Sequence, residues 1–306
     1  FGGTILSHDY VEAALLVRGG WRVEMDPRIT GSFEEGPDNL LAFARRDRRW
    51  CQGNLQHMRL VGAPGLHGWS RFVFVQGIMA YLVSVAWGAF LIVSLLAAAT
   101  NASPDYFPNA YQLFPVFPDD KTFQIVALAF GIGVLLLLPK LAIFGEAAAT
   151  GRARGFGGAL RSLGSVLAEI LLTALIAPIM LMYQSRAVAE VFAGKDGGWP
   201  ATARGEGRLT LTESWRASRW VSLFGIVVTI AVYLLVPNLI YWLLPVTLPM
   251  SIAPLLIAVT SHPSNGRVFT TPQERVTPAV IAAYREHLRT GTAQQGSSHD
   301  PIVQPA

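Results

Sequence analysis

Two stretches of this chain, residues 72–104 and 220–266, contain no Asp, Glu, Lys or Arg at all. Inside hydrocarbon a backbone must satisfy its own hydrogen bonds, so long apolar stretches of this kind fold as helices. About 20 apolar residues cross a bilayer core, and 72–100 alone exceeds that. Hydrophobic residues make up 52% of the chain and charged residues 14%, against roughly 25% charged in soluble domains. An ordinary soluble protein is thereby excluded over most of the length. The net charge of +4 resides in basic loops beside apolar spans, which is the positive-inside pattern and not a nucleic-acid patch. A single cysteine, Cys51, excludes an intramolecular disulfide and any Cys-based zinc cluster.

The charge pattern divides the chain into three parts. Residues 1–71 read as a polar, soluble unit, 72–260 as a membrane region and 261–306 as a tail. The tail is rich in Gly, Ser, Gln and Pro and is expected to be disordered from about 289. Spans are expected at about 72–98, 123–144, 163–183, 220–236 and 239–260. Breaks are expected near Pro237 and Asn238, or near Pro245 and Pro249. The acidic loop with Asp105, Asp119 and Asp120 is placed outside, and the loop with Arg152, Arg154 and Arg161 inside, which keeps 1–71 in the cytosol. The basic loop 186–219 (Arg186, Lys195, Arg204, Arg208, Arg216, Arg219) favours the inside as well, yet three crossings would put it outside. The reading adopted is that 163–183 forms an interfacial or re-entrant element. Within 1–71, residues 10–17 form an apolar run that is alternating or helical. Residues 21–25 suit a short strand, 32–38 a turn and 39–60 a helix. The chain opens on Phe1 with no Met or signal peptide, and is expected to be part of a longer protein.

Several side chains could carry chemistry. Asp9 follows His8 at the end of a small-residue run and could take a proton from a hydroxyl nucleophile. The alternative is a helix cap by Ser7 or Asp9, with Glu12 at capping-box spacing. Arg45, Arg46, Arg48 and Arg49 surround Asp47 and lead to Trp50. Guanidinium groups bind phosphate oxygens bidentately, and an indole face suits the apolar side of a sugar. A basic membrane flank with an interfacial tryptophan is the competing reading, but Arg49 lies 22 residues before the first span. Glu34 and Glu35 read as solvated turn residues. Glu169, inside a span, is a functional candidate or a partner for a basic group. His57 and His67 have no metal-ligand spacing, and no independent metal site emerges.

Taken in order, Gly2-Gly3-Thr4-Ile5-Leu6-Ser7-His8-Asp9-Tyr10, then Gly31-Ser32-Phe33-Glu34-Glu35-Gly36-Pro37-Asp38-Asn39-Leu40, then Arg46-Asp47-Arg48-Arg49-Trp50-Cys51-Gln52-Gly53-Asn54-Leu55 resemble one family. It is the glucan biosynthesis glucosyltransferase H family, inner-membrane synthases of osmoregulated periplasmic glucans among the processive family-2 glycosyltransferases. The resemblance resumes at Arg267-Val268-Phe269-Thr270-Thr271-Pro272-Gln273-Glu274. It implies an α/β fold for 1–71, as the C-terminal part of a family-2 glycosyltransferase domain, followed by a multi-span α-helical membrane region. It implies that Asp9 is the general base that activates the acceptor hydroxyl against UDP-glucose, with inversion. Arg49 and Trp50 match the end of the family's Gln-x-x-Arg-Trp motif. Arg49 would meet the nucleotide diphosphate, and Trp50 would floor the acceptor site. Arg46 stands where the motif has Gln, and would serve acceptor binding. Thr271 would belong to a loop over the nucleotide.

The resemblance further implies a divalent cation (Mg or Mn) on the diphosphate. An Asp-x-Asp pair holds that cation in the family, and residues 1–71 contain no such pair, so its ligands are expected upstream and the fragment is expected to be inactive alone. The partners implied are UDP-glucose, a glucan acceptor and the lipid bilayer, with no nucleic acid. Acyl carrier protein is a partner in some members, and these residues carry no sign of it. The expected location is the bacterial inner membrane with the catalytic part cytosolic. Two rivals remain at this level: a cellulose-like or chitin-like synthase using another sugar nucleotide, and a non-catalytic transporter whose arginines bind lipid.

Overall fold

The computed structural model describes residues 5–297 apart from 27, 30, 35, 101–110, 112, 116–120, 199–206 and 270. The Gly2-Gly3 turn, Glu35, Thr270, the acidic residues of the first loop and Arg204 thus lie outside the described residues. Every regular element among the described residues is helical. Helices α1 (His8–Arg18) and α2 (Leu40–Gln56) precede the long helices α3 (Gly68–Thr100), α4 (Thr122–Ala149), α5 (Ala159–Phe192) and α6 (Leu211–Leu235). They are followed by α7 (Ile240–Ser251), α8 (Ala253–Thr260), α9 (Pro272–Arg275) and α10 (Ala279–Ser297). Helix α10 extends into the stretch where disorder is expected from about 289, and 298–306 lie outside the described residues.

The α/β expectation for 1–71 is not met among the described residues. Residues 21–25, expected as a strand, are irregular and exposed. A strand forms by exchanging backbone hydrogen bonds with a neighbour, and no described strand is there to pair with them.

Helices α3, α4, α5 and α6 are each long and apolar enough to cross a membrane. The break after α6 falls at the first of the two expected places. Val236 leaves helical geometry, and Pro237 opens a short 3-10 turn. Pro245 and Pro249 are accommodated inside α7. A second break follows at Ile252, where α7 and α8 meet at 60°. Pro254 then sits in the first turn of α8, where its missing N–H is not needed. Gly225 allows α6 to cross this bend closely: a Cβ there would stand 2.8 Å from the Met250 Cβ and 2.8 Å from the Ser251 nitrogen. Ile179, Val221, Met250 and Ala253 form the buried core of this crossing.

The element expected at 163–183 is continuous with its flanks in the 34-residue helix α5. The polar segments at its two ends are tied to other polar segments. Near its start, Ser165 Oγ donates to the Val268 carbonyl, and Arg275 donates to the carbonyls of Arg154 (3.1 Å) and Gly155 (3.2 Å). At its other end, the Arg48 guanidinium reaches Glu190 (2.9 Å) and the Lys195 carbonyl (2.9 Å), and Gln52 donates to Asp196 (2.8 Å). Asn39 donates to the Gly207 carbonyl (3.5 Å), so both described ends of the basic loop rest on α2. Leu209 N donates to Ser261 Oγ (2.9 Å), joining the start of α6 to the end of α8.

Candidate active site

Helix α2 is built to present one face and bury the other. Asn39 starts it, with Oδ1 accepting from Ala42 N at 2.9 Å. Cys51 and Leu55 are buried against Ile78 and Tyr81 of α3 and Ala187, Val188 and Val191 of α5. Burying each large aliphatic side chain of this kind contributes roughly 1.5–3 kcal/mol. Asp47 lies on the same buried side, accepting from Tyr81 Oη (3.1 Å) and Gln184 Nε2 (3.0 Å). Gln184 in turn accepts from Ser84 Oγ at 2.5 Å. Burial pushes the Asp47 carboxyl up, against the pull of these two hydrogen bonds and of the Arg46 charge. Burial, followed by the Asp47 charge, pushes the Cys51 thiol up to about 12, so it stays protonated and is no nucleophile.

Arg46, Arg49, Trp50 and Gly53 follow one another at i, i+3, i+4 and i+7, which puts them on a single helix face. The Arg46 guanidinium stacks 4.5 Å from the Trp50 ring centroid, and Trp50 stays 44% exposed. Gly53 is where the second sequence motif arrives. A Cβ at Gly53 would stand 2.6 Å from Ser7 N and 2.7 Å from Ser7 Cβ, so the chain before α1 is pressed onto the bare helix backbone. Leu6 N donates to Gln56 Oε1 (3.1 Å), and the buried His57 ring pairs through Nε2 with the Ser7 carbonyl (3.0 Å). His57 is held between Phe74, 4.8 Å away, and Tyr10, 6.1 Å away. Burial lowers its pKa, opposed by the Ser7 bond; a neutral ring donating from Nε2 to the carbonyl fits this environment.

Asp9 follows two residues after Ser7, hence within roughly 7 Å of it along the chain. Its side chain is 86% exposed, with His8 Nε2 3.4 Å away. Capping does not explain the motif: Ser7 occupies the N-cap position without any side-chain cap hydrogen bond, and Asp9 lies inside the first turn. Ser7 of the first motif therefore meets α2 at Gly53, on the face that carries Arg46, Arg49 and Trp50. Thr271 stands elsewhere. It caps α9 in a capping box with Glu274, its N–H 2.7 Å from Oε2, and α9 rests on Arg154 and Gly155. Glu169 is paired with Lys140 (2.7 Å) and Thr173 (2.8 Å), the partner role and not an isolated intramembrane acid. Among the described residues no three His, Cys, Asp or Glu side chains gather as a metal site, so the residues described do not fit a divalent cation.

Two positioning residues escape sequence reasoning. A glycine inside a helix costs about 1 kcal/mol in propensity, and only the approach of Ser7 explains Gly53. His57 is weighed in the sequence as a metal ligand, whereas its role is to hold the Ser7 carbonyl.

Residues 2–139, from before α1 into α4, match the model for glycosyl transferase family group 2. The matched segment runs directly into membrane-length helices. More narrowly, the chain is homologous to proteins named glucans biosynthesis glucosyltransferase H. It is 53% identical over 284 residues to the one from Cereibacter sphaeroides, covering 93% of this chain and 48% of that protein. It is 42% identical over 287 residues to that of Rhodopseudomonas palustris strain TIE-1, covering 92% of this chain and 40% of that protein. For that of Vibrio cholerae the identity is 38% over 301 residues, with 92% and 40% covered. The chain thus spans about half or less of the length of these relatives. No solved structure matches it.

Proposed function

We propose that this chain forms the acceptor side of a membrane glucosyltransferase that passes glucose from UDP-glucose to a growing β-glucan. The observation that supports this reading is the seating of Ser7 on Gly53, on the α2 face holding Arg46, Arg49 and Trp50, with Asp9 two residues further on. Trp50 supplies an apolar floor for a sugar ring, and Arg46 beside it offers donors to the ring hydroxyls. The Asp9 carboxylate takes the proton of the acceptor hydroxyl as its oxygen attacks the anomeric carbon. The bond from that carbon to the phosphate oxygen breaks, UDP leaves with the electron pair, and the configuration inverts. Arg49 meets the developing charge on the diphosphate. Thr271, tied into the cap of α9, enters only if its loop moves over the nucleotide.

The finer parts of the proposal concern the rest of the molecule. The strands of an α/β domain and the carboxylates for a Mg or Mn ion would be supplied by residues other than those described. The polymer would leave across the bacterial inner membrane, with α2 on the cytosolic side. The basic loop rests on α2 at both described ends and belongs to that side too. This removes the conflict with the positive-inside pattern if α5 lies along the membrane surface. Lys195→Cys supplies the check, because Cys51 is buried. An impermeant maleimide should label it in inverted vesicles and not in intact spheroplasts; labelling in spheroplasts sinks the topology.

Trp50→Ala in the full-length synthase is expected to shorten glucan chains and raise the acceptor KM. UDP-glucose binding, read by equilibrium dialysis of labelled nucleotide sugar, should stay unchanged. Equal loss of both would mean that Trp50 is no acceptor platform.

A further inference from the structure

On another side of α2, facing α5 and α6, lies an open pocket of about 210 Å3. Arg45, Arg48 and Arg186 line it together with Tyr183, and Glu190 is the one carboxylate in its wall. Glu190 is already shared between Arg48 (2.9 Å) and Arg186 (2.8 Å). Among the described residues Arg45 has no carboxylate partner. Three guanidinium groups against one committed carboxylate leave an excess of two positive charges, which suits an added anion with several oxygens.

The position of the pocket selects the source of that anion. The charge-free stretch of α6 begins at Trp220, directly after Arg219, and the apolar part of α5 ends at Tyr183, three residues before Arg186. Tyr183 and Trp220 meet edge to face with centroids 5.5 Å apart, and the Arg186 guanidinium stands 5.5 Å from the Trp220 ring. Paired Trp and Tyr at the end of apolar helices mark the headgroup level of a bilayer. The Trp220 indole N–H is buried there without a hydrogen-bond partner. Basic pockets between helices at this depth take the headgroups of anionic lipids.

We propose that this pocket binds the phosphate of an anionic phospholipid headgroup, its acyl chains running along the charge-free stretch of α6. The site lies apart from the acceptor face, so the proposal stands whether or not the sugar chemistry does.

Native mass spectrometry of the whole chain, delipidated in neutral detergent, tests it with phosphatidylglycerol, phosphatidylcholine and inorganic phosphate as separate additions. Phosphatidylglycerol should be retained in preference to phosphatidylcholine, and millimolar phosphate should not displace it. Arg45→Gln, an exposed side chain whose loss leaves the fold intact, should weaken retention about fivefold. Arg45→Gln with Arg186→Gln should weaken it about thirtyfold, from about 1 kcal/mol for each arginine near the surface. Arg219→Gln, outside the lining, should leave it unchanged. Three results overturn the proposal: equal retention of the two lipids, displacement by phosphate (which would mark a free-anion site), or unaltered binding in folded Arg45→Gln.

Discussion

Asp9→Asn in the full-length synthase is expected to lower glucan synthesis about 10²- to 10⁴-fold, the range supplied by a positioned general base. The substitution keeps shape and removes only the capacity to take a proton. Folding should hardly register it, because the carboxylate is 86% exposed and has His8 as its one close partner among the described residues. UDP-glucose binding should persist, since the donor contacts assigned here belong to Arg49. The measurement is incorporation of labelled glucose by membranes with matched expression of the two proteins. Near-normal synthesis by the variant would remove Asp9 from the chemistry and leave it as a first-turn acid favoured by the helix dipole.

Gly53→Ala should be the second most damaging change, and for an opposite reason. Alanine improves the helix propensity of α2 by up to about 1 kcal/mol, so on local grounds it stabilises. The new methyl, however, would stand 2.6 Å from the Ser7 nitrogen, a backbone atom that can only move away. The Ser7 turn carries Asp9 with it, and a displacement of about 1 Å at a reacting group costs on the order of 100-fold in rate. Thermal unfolding should change little, as overpacking of roughly 1–3 kcal/mol is partly offset by the propensity gain. A fully active Gly53→Ala enzyme would show that the contact between the two motifs is incidental. Loss of folding in place of activity would show that it serves stability alone.

Where local physics decides the outcome, the sequence is a good guide. Helices α3 and α4 are legible because apolar stretches of that length have one way to hide their backbone, and the break at Pro237 is legible because proline lacks an N–H. The face of Arg46, Arg49 and Trp50 follows from helical spacing alone. The full extent of α5 is not legible. Gln184, Arg186 and Glu190 look like the end of a span, and only their bonds to Asp47 and Arg48, 137 and 142 residues away in sequence, explain why the helix runs on. The strand expected at 21–25 fails for the converse reason: its pattern is local, but a strand exists only beside another. The cap of α9 is legible too, since the Thr271-Pro272-Gln273-Glu274 spacing spells a capping box.

The ties that hold α2 also impose an order in time. Asp47, Arg48 and Gln52 find their partners at Gln184, Glu190 and Asp196, all more than 130 residues further along. At a ribosomal pace of about 5–20 residues per second, this helix waits roughly 7 to 29 seconds after it is made before those partners exist. For that interval four arginines and an aspartate stand in water beside apolar helices that are still being inserted. The ties that fix α2 against α5 are therefore made late, and a ribosome halted before Gln184 leaves them unmade.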